Sequence, residues 1–321
     1  MKRISAILLV AAMILALSSC GLFRRDKQAV PDASEEIEKE ETGSDAESVG
    51  KEEIGPDEEQ PSKSKSDSIY TISNKIIVDN EYVTLAVTEA YTEKNGDFKL
   101  KMLCKNKTDD PISAYCENAS INGYMIYADW YSEARVNSSD ESEMVFYAAD
   151  LKKAGITLVE DVELFIFAYS YGDEGEKSCI FDYYSIYPTG LHAGSVTYPD
   201  KTRPKQGVLV VNTGDFKFCI ERINEKGELG YTLQVYIENN LPGTDIYVIW
   251  EDESVNGFKM DSYWGQVVLA GKRAVCDAPF LHNDFDKNGI KKVDEIEFKL
   301  KAVNFDDWDD VIYEGAFIYN P

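Results

Sequence analysis

The strongest constraint on the fold is a segment that occurs twice in the chain, 134 residues apart. The matched positions are an Asn-Gly pair, a tryptophan, a Gly-Ile pair and an acidic-aliphatic stretch. They are Asn122-Gly123, Trp130, Gly155-Ile156 and residues 159–164 in the first copy, and Asn256-Gly257, Trp264, Gly289-Ile290 and residues 293–298 in the second. Because one offset aligns every pair, we interpret the segment as an internal repeat without insertions.

Alternating apolar and polar residues predict strands throughout both copies. Val83, Leu85 and Val87 alternate with smaller or polar residues, and the polar stretch 93–97 then predicts a hairpin turn before the next alternating run. Only residues 148–154 favour a helix. About seven short strands per copy and no βαβ pattern favour an all-β fold with two tandem immunoglobulin-like β-sandwich domains.

The predicted domain boundaries follow changes in composition. Residues 69–190 form the first sandwich domain, residues 191–207 a polar connector, and residues 208–321 the second domain. Residues 20–68 form an acidic linker, and its section 26–67 carries fifteen Asp and Glu against five Lys. A segment of this composition cannot bury enough apolar surface to offset the entropy of ordering, so we expect it to be disordered.

The N-terminus has the pattern of a signal peptide. A basic start is followed by an apolar run that is too short to span a bilayer, and Leu17-Ser18-Ser19-Cys20 ends it. These four residues resemble the lipobox of bacterial lipoproteins. The resemblance implies that residues 1–19 are removed, that Cys20 receives the lipid, and that the protein is anchored on the extracellular face of the cell membrane. An ordinary secretory signal or an uncleaved anchor is the alternative.

The net charge of −25 argues against a nucleic-acid partner, since phosphate binding requires clustered Lys and Arg. Five cysteines remain after Cys20, without a CxxC motif or a cluster with histidine, so nothing indicates zinc. Cys104 and Cys116 flank a polar turn and could face each other across a hairpin. We favour mostly reduced, buried thiols over a disulfide framework.

One stretch of the second repeat matches the calcium-binding loop of an EF-hand. Asp284, Asp286 and Asn288 alternate before Gly289, and Glu295 occupies the final ligand position. The first repeat has Asp150 at the first of these positions but lacks the later ligand oxygens in the stretch 150–155, and it keeps the glycine. We therefore favour a structural turn or helix stop, with no cofactor, and keep a Ca²⁺ site as the alternative.

Two further hypotheses concern binding and catalysis. Trp130 and Trp264 occupy matched positions and could stack on sugar rings, although a core role is the favoured interpretation for a tryptophan kept in both repeats. The sequence contains no nucleophile elbow, HExxH helix, phosphate loop or dinucleotide fingerprint. We therefore expect no enzymatic activity, and a hydrolase ranks below the binding hypotheses.

The repeat motifs also resemble a known class of domain. An aliphatic residue before Asn-Gly, the Ala-Gly-Lys-Arg stretch 270–273 and the Gly-Ile pair are similar to β-sandwich domains of unknown function in surface lipoproteins of Gram-positive bacteria. The resemblance covers residues 69–321, and the first copy departs from it at 136–139. It implies a non-enzymatic binding or structural module at the cell envelope, with a protein or glycan ligand. The alternative is a lipoprotein that captures a substrate with the help of carbohydrate contacts or Ca²⁺.

Overall fold

The structure is a computed structural model that describes residues 69–172, 175–196, 207–260, 262 and 264–321. The predicted signal peptide, Cys20, the acidic linker and residues 197–206 of the connector lie outside the described residues. The described part of the chain is all-β, with eighteen strands and two short helices.

Both repeats contain nine strands, two more than the sequence predicts, and one helix each. The first repeat comprises β1 (Ser73–Asp79), β2 (Val83–Thr92), β3 (Phe98–Asn106), β4 (Ile112–Ile121), β5 (Tyr124–Met125), β6 (Tyr131–Ala134), β7 (Ser139–Phe146), α1 (Ala148–Ala154), β8 (Val162–Gly172) and β9 (Gly175–Ile186). The second comprises β10 (Val208–Asn212), β11 (Phe216–Asn224), β12 (Gly230–Asn239), β13 (Ile246–Val255), β14 (Phe258–Lys259), β15 (Gly265–Val268), β16 (Arg273–Leu281), α2 (His282–Asn288), β17 (Ile296–Asn304) and β18 (Val311–Tyr319).

The alternation that predicts the strands also sets which side chains are buried. In β3, Phe98, Leu100 and Met102 are buried, whereas Lys99 and Lys101 point away from the core. This is the period-2 pattern of a strand that buries one face. The predicted hairpin turn lies between β2 and β3, and the predicted helix at 148–154 is α1.

The strands form three open sheets. One sheet has the order β1-β2-β3-β7, a second contains β13, β14, β15, β17 and β18, and a central nine-stranded sheet has the order β10-β11-β12-β16-β5-β4-β8-β9, with β6 beside β4. The strand order of the second repeat reproduces that of the first. The central sheet is continuous across the repeats because β5 and β16 pair in parallel, with Arg273 opposite Tyr124.

Two hydrophobic cores lie against opposite faces of the central sheet. The first fills the space under the four-stranded sheet and includes Leu164 and Ile166 of β8, together with Tyr236 of the second repeat. The second lies under the five-stranded sheet and includes Val235 and Ile237 of β12. Consecutive residues of β12 therefore contact different cores, as expected for a strand covered on both faces. In the described part of the chain, no second sheet covers the face of β4, β8 and β9 that points away from the first core.

A polar cluster lies at the junction of the repeats. The Glu238 carboxylate accepts a hydrogen bond from the Tyr236 hydroxyl and pairs with Lys217 at 3.6 Å and Arg273 at 3.5 Å. The Arg273 guanidinium lies 5.7 Å from the centre of the Tyr124 ring. Glu238 and Arg273 are both buried, so each charge needs its partner, and separating them would leave an unpaired buried charge.

The repeated Asn-Gly pair performs the same role twice. The Asn122 side chain accepts hydrogen bonds from the amides of Glu160 and Asp161, both at 3.0 Å, and donates one to the Leu158 carbonyl at 2.7 Å. Asn256 makes the matching three bonds in the second repeat. The asparagine therefore ties the β4–β5 turn, or its counterpart, to the segment that enters β8 or β17. This tie explains why the two distant parts of the motif are kept together.

The repeated Gly-Ile pair ends a helix. Gly155 and Gly289 follow α1 and α2 in the left-handed conformation, with φ of 77° and 66°, where glycine carries no Cβ penalty. The predicted helix stop is confirmed at both positions. The predicted hairpin between Cys104 and Cys116 is wrong, because β3 and β4 belong to different sheets and the chain crosses between layers there. None of the five described cysteines forms a disulfide.

Candidate functional site

The residues proposed as calcium ligands lie in a helix and the loop behind it. Asp284, Asp286 and Asn288 belong to α2, and the Asn288 amide donates a hydrogen bond to the Asp284 carbonyl at 2.9 Å. A helix directs side chains at alternating positions away from one another, whereas an EF-hand loop turns them towards one point. In the described part of the chain, no group of three or more His, Cys, Asp or Glu side chains is placed to hold a metal ion.

The two repeated tryptophans are core residues. Trp130 is 5% exposed and its indole nitrogen donates to the Ser142 hydroxyl at 3.0 Å. Trp264 is 8% exposed, and its ring centre lies 4.8 Å from that of Trp250. Neither indole has an open face on which a sugar could stack, so the structure supports the core interpretation that the sequence favours.

A different set of aromatic residues is exposed on the uncovered half of the central sheet. We call this set the aromatic face, and it comprises Tyr115 on β4, Tyr131 on β6, Phe165, Phe167 and Tyr169 on β8, and Phe181 and Tyr183 on β9. Tyr131, Phe181 and Tyr183 are between 41% and 57% exposed, and the other four are half-buried. Their even spacing along the strands places them opposite the core-facing residues.

Six of the seven rings, all except that of Tyr131, form a continuous cluster across β4, β8 and β9. Phe165 lies 4.8 Å from Phe181 and 4.6 Å from Tyr183 between ring centres, and Phe167 lies 5.2 Å from Tyr115. Register explains the contacts, since Phe167 pairs with Phe181 on one side and Tyr115 on the other. Cross-strand aromatic pairs stabilise a sheet, but large apolar patches open to solvent are uncommon in monomeric proteins and mark interaction sites.

The second repeat carries charged residues at two of the matching positions. Lys299 and Lys301 replace Phe165 and Phe167 at the 134-residue offset, and Lys301 pairs in register with Glu314 as Phe167 does with Phe181. Lys299 forms ion pairs with Glu251 at 3.4 Å and Glu314 at 3.0 Å. The same sheet position is therefore compatible with a solvated ladder of charges. The fold does not require aromatic residues there.

Carboxylates surround the aromatic face. Glu117, Glu133 and Glu163 lie on β4, β6 and β8. The four strands contain no Arg and one Lys, Lys177, whose ammonium group lies 4.2 Å from the Tyr82 ring centre on the side of the first core. The face is therefore negative as well as aromatic.

Glu117 is the most unusual of these carboxylates. It occupies a bulge in β4 between Cys116 and Asn118 and is partly buried. Burial raises the pKa of its carboxyl group above the ordinary value, and no hydrogen bond or ion pair involves that group among the described residues. Burial and the nearby Glu117 charge also raise the pKa of Tyr115. An unpaired, poorly hydrated carboxylate favours a nearby cation.

The second repeat bounds the aromatic face at one end. The Tyr183 hydroxyl donates to the Asp245 carboxylate at 3.0 Å, and Lys272 pairs with Glu163 at 3.2 Å. Burial raises the pKa of Tyr183, and the charges of Asp245, Glu163 and Asp306 raise it further. Asp306 belongs to the exposed acidic loop 305–310 between β17 and β18. Asp245 and Asp306 therefore form a negatively charged rim beside Tyr183 at this end of the aromatic face.

The aromatic face offers ring faces and carboxylates for binding, and the two histidines of the chain lie elsewhere. The His192 ring contacts the Ala193 carbonyl in the connector. The ring of His282, the first residue of α2, contacts the Gly227 carbonyl. Both contacts are therefore to backbone oxygens. The seven residues of the aromatic face include no histidine and no cysteine. The sequence shows many tyrosines, but only the sheet register places seven aromatic rings on one face.

Comparisons with known proteins add no function. No family model matches the chain, and no curated protein matches it. Among solved structures, the YadV chaperone is 12% identical, covering 74% of this chain and 99% of its own, with a TM-score of 0.23. A red sea bream transglutaminase is 8% identical over 75% of this chain and 31% of its own, with a TM-score of 0.20. A Porphyromonas gingivalis W83 protein of unknown function is 9% identical over 74% and 99%, with a TM-score of 0.19.

TM-scores of this size support no conclusion about fold family or ligand. None of the helices in the described part of the chain has the length and apolar character needed to span a membrane.

Proposed function

We propose that the protein is a non-enzymatic binding module whose aromatic face engages a ligand at the cell envelope. The observation that carries the proposal is the contrast between matched positions. Phe165 and Phe167 are half-buried where Lys299 and Lys301 form a charge ladder with Glu251 and Glu314 in the second repeat. Because the second repeat forms the same strand with lysines at these positions, the fold does not require phenylalanines there. We therefore assign the aromatic residues of the first repeat a role in binding.

The proposal includes the domain organisation and the anchor. Residues 69–190 and 208–321 are two immunoglobulin-like β-sandwich domains, supported by the identical strand order of the repeats and their separate cores. Cys20 carries the lipid on the extracellular face of the membrane, and residues 20–68 act as a spacer. A self-repelling coil of this length spans at least ~35 Å.

A glycan-capturing lipoprotein is the second candidate. Exposed tyrosine and phenylalanine rings favour it, because the faces of aromatic rings can stack on sugar rings. Its stacking residues would be those of the aromatic face, since Trp130 and Trp264 are enclosed in the cores. Calcium assistance and hydrolysis rank lower because no described observation favours either.

The test compares two double variants of the full chain. Phe167→Lys with Phe181→Glu gives the first repeat the residues of the second and leaves the net charge unchanged. Lys301→Glu with Glu314→Lys exchanges the charges of the two register partners that correspond to Phe167 and Phe181, and it serves as the matched control. We expect envelope material from the producing cells to retain the wild-type and control proteins and to lose the first variant. Equal retention of all three, with unchanged thermal melts, would contradict the proposal.

A further inference from the structure

We propose that the aromatic face binds a cationic segment of a protein partner, one that carries Lys or Arg next to apolar side chains. The inference rests on the proposed function and specifies the chemistry of its ligand. It depends on three features of the face: its charge, the relative tilt of its rings and its lack of hydrogen-bonding groups in the centre.

The net charge of the face and its rim is negative. Glu117 and Glu133 lie among the rings, and neither forms an ion pair within the described residues. Asp245 and Asp306 lie close enough to Tyr183 to influence its ionisation. Lys272 is engaged with Glu163 and leaves the other carboxylates uncompensated. A cation arriving at this surface meets both unpaired carboxylates and ring faces, and the two attractions reinforce each other.

The rings are tilted steeply against one another. Phe181 stands at 80° to Phe165 and 85° to Phe167, and Tyr115 is at 49° to Phe167. Rings packed edge to face do not share one plane, so together they form no flat platform. Side chains of a peptide can contact rings at different angles, whereas a pyranose ring needs a planar face.

Hydrogen-bonding groups are scarce in the centre of the face. Phe165, Phe167 and Phe181 supply no donor or acceptor, and the Tyr183 hydroxyl is already bonded to Asp245. Sugar hydroxyls that lost their water here would remain unpaired, which is costly. Lys and Arg side chains carry apolar stems that can lie on phenylalanine rings while their charged ends reach the surrounding carboxylates.

The experiment measures binding of a synthetic peptide of alternating lysine and leucine to the full-length protein by calorimetry. The same peptide with acetylated lysines and an uncharged oligosaccharide are the other probes. Because residues 26–67 are strongly acidic and could attract any basic peptide, the comparison uses variants of unchanged net charge. They are Phe167→Lys with Phe181→Glu, and the control Lys301→Glu with Glu314→Lys.

We expect the lysine peptide to bind the wild-type and control proteins and the first variant to bind about tenfold more weakly, the equivalent of 1.4 kcal/mol. Acetylation should weaken binding to a similar extent. Glu117→Gln removes one charge without altering shape, and we expect a loss of at least about threefold, within the range of a single cation–π or ion-pair contact. This single variant tests the inference even if the double variant fails to fold.

Two results would overturn the inference. One is equal affinity of the lysine peptide for the wild type, the double variant and Glu117→Gln, which would show attraction by net charge alone. The other is tighter binding of the acetylated peptide or the oligosaccharide. If envelope retention still depended on Phe167 and Phe181 in either case, the proposed binding function would stand and only the ligand class would be wrong.

Discussion

The role of the repeated Asn-Gly pair can be tested with a matched pair of substitutions, Asn122→Ala and Asn256→Ala. Both side chains make three hydrogen bonds to backbone groups, and both residues have positive φ, 49° and 51°. They differ in environment, because Asn122 is 6% exposed and Asn256 is more open to solvent. The pair therefore shows how the same three hydrogen bonds contribute to stability in a buried and in a more exposed position.

The expected cost follows from these contacts. The three hydrogen bonds of the Asn122 side chain contribute about 1 kcal/mol each, and alanine in the left-handed conformation adds roughly 1 kcal/mol. Asn122→Ala should therefore lower the free energy of unfolding by about 3–5 kcal/mol. At Asn256 water can replace part of the lost bonding, so we expect about 1–2 kcal/mol. Asn122→Gly retains the permitted backbone geometry and isolates the hydrogen-bond contribution.

The global measurement is urea unfolding of the full chain, followed by tryptophan fluorescence. Amide hydrogen exchange gives the local one, because the amides of Glu160 and Asp161 lose their acceptor in Asn122→Ala and should exchange faster. Asp294 and Glu295 should stay protected in that variant and become exposed in Asn256→Ala. A loss below about 0.5 kcal/mol for Asn122→Ala, with no local change in exchange, would refute the argument.

Three further predictions concern other parts of the molecule. Burial raises the pKa of Glu117, so the protein should lose stability as pH rises through that pKa and the buried carboxyl group ionises. Glu117→Gln should abolish this pH-dependent loss and raise the melting temperature at neutral pH. An unchanged dependence of melting temperature on pH would contradict this prediction. In Trp308→Phe, added oligosaccharides should leave tryptophan fluorescence unchanged because Trp130 and Trp264 are buried, and quenching would contradict their enclosure. Cys20→Ala should block lipidation, so that fractionation and gel mobility show an unanchored precursor; a membrane-bound product of mature size would disprove the anchor.

Much of the strand pattern follows from local sequence. Alternation locates β2, β3 and β8, and the helix stop at Gly155 and Gly289 follows from comparing the repeats. These features depend on neighbouring residues, whose periodicity decides which side is buried. The short strands β5, β6, β14 and β15 escape such analysis because two to four residues cannot display a period.

Sequence spacing did not show which residues come together in space. Cys104 and Cys116 flank a turn in sequence, yet the chain changes sheets between them. The EF-hand pattern over Asp284–Glu295 satisfies the spacing of ligands, but α2 spans its first half. Spacing alone cannot distinguish a loop that folds around an ion from a helix of the same length.

The sequence by itself determined that the chain is a duplicated all-β protein and showed which positions the two copies share. Only the tertiary structure showed that the first copy carries a cluster of aromatic rings on a sheet face where the second copy carries charged residues. Phe165 and Phe181 are sixteen residues apart in the chain, and the register of β8 and β9 brings their rings within 4.8 Å. A face of a sheet is assembled from strands distant in sequence, so its chemistry depends on pairing that no local pattern encodes.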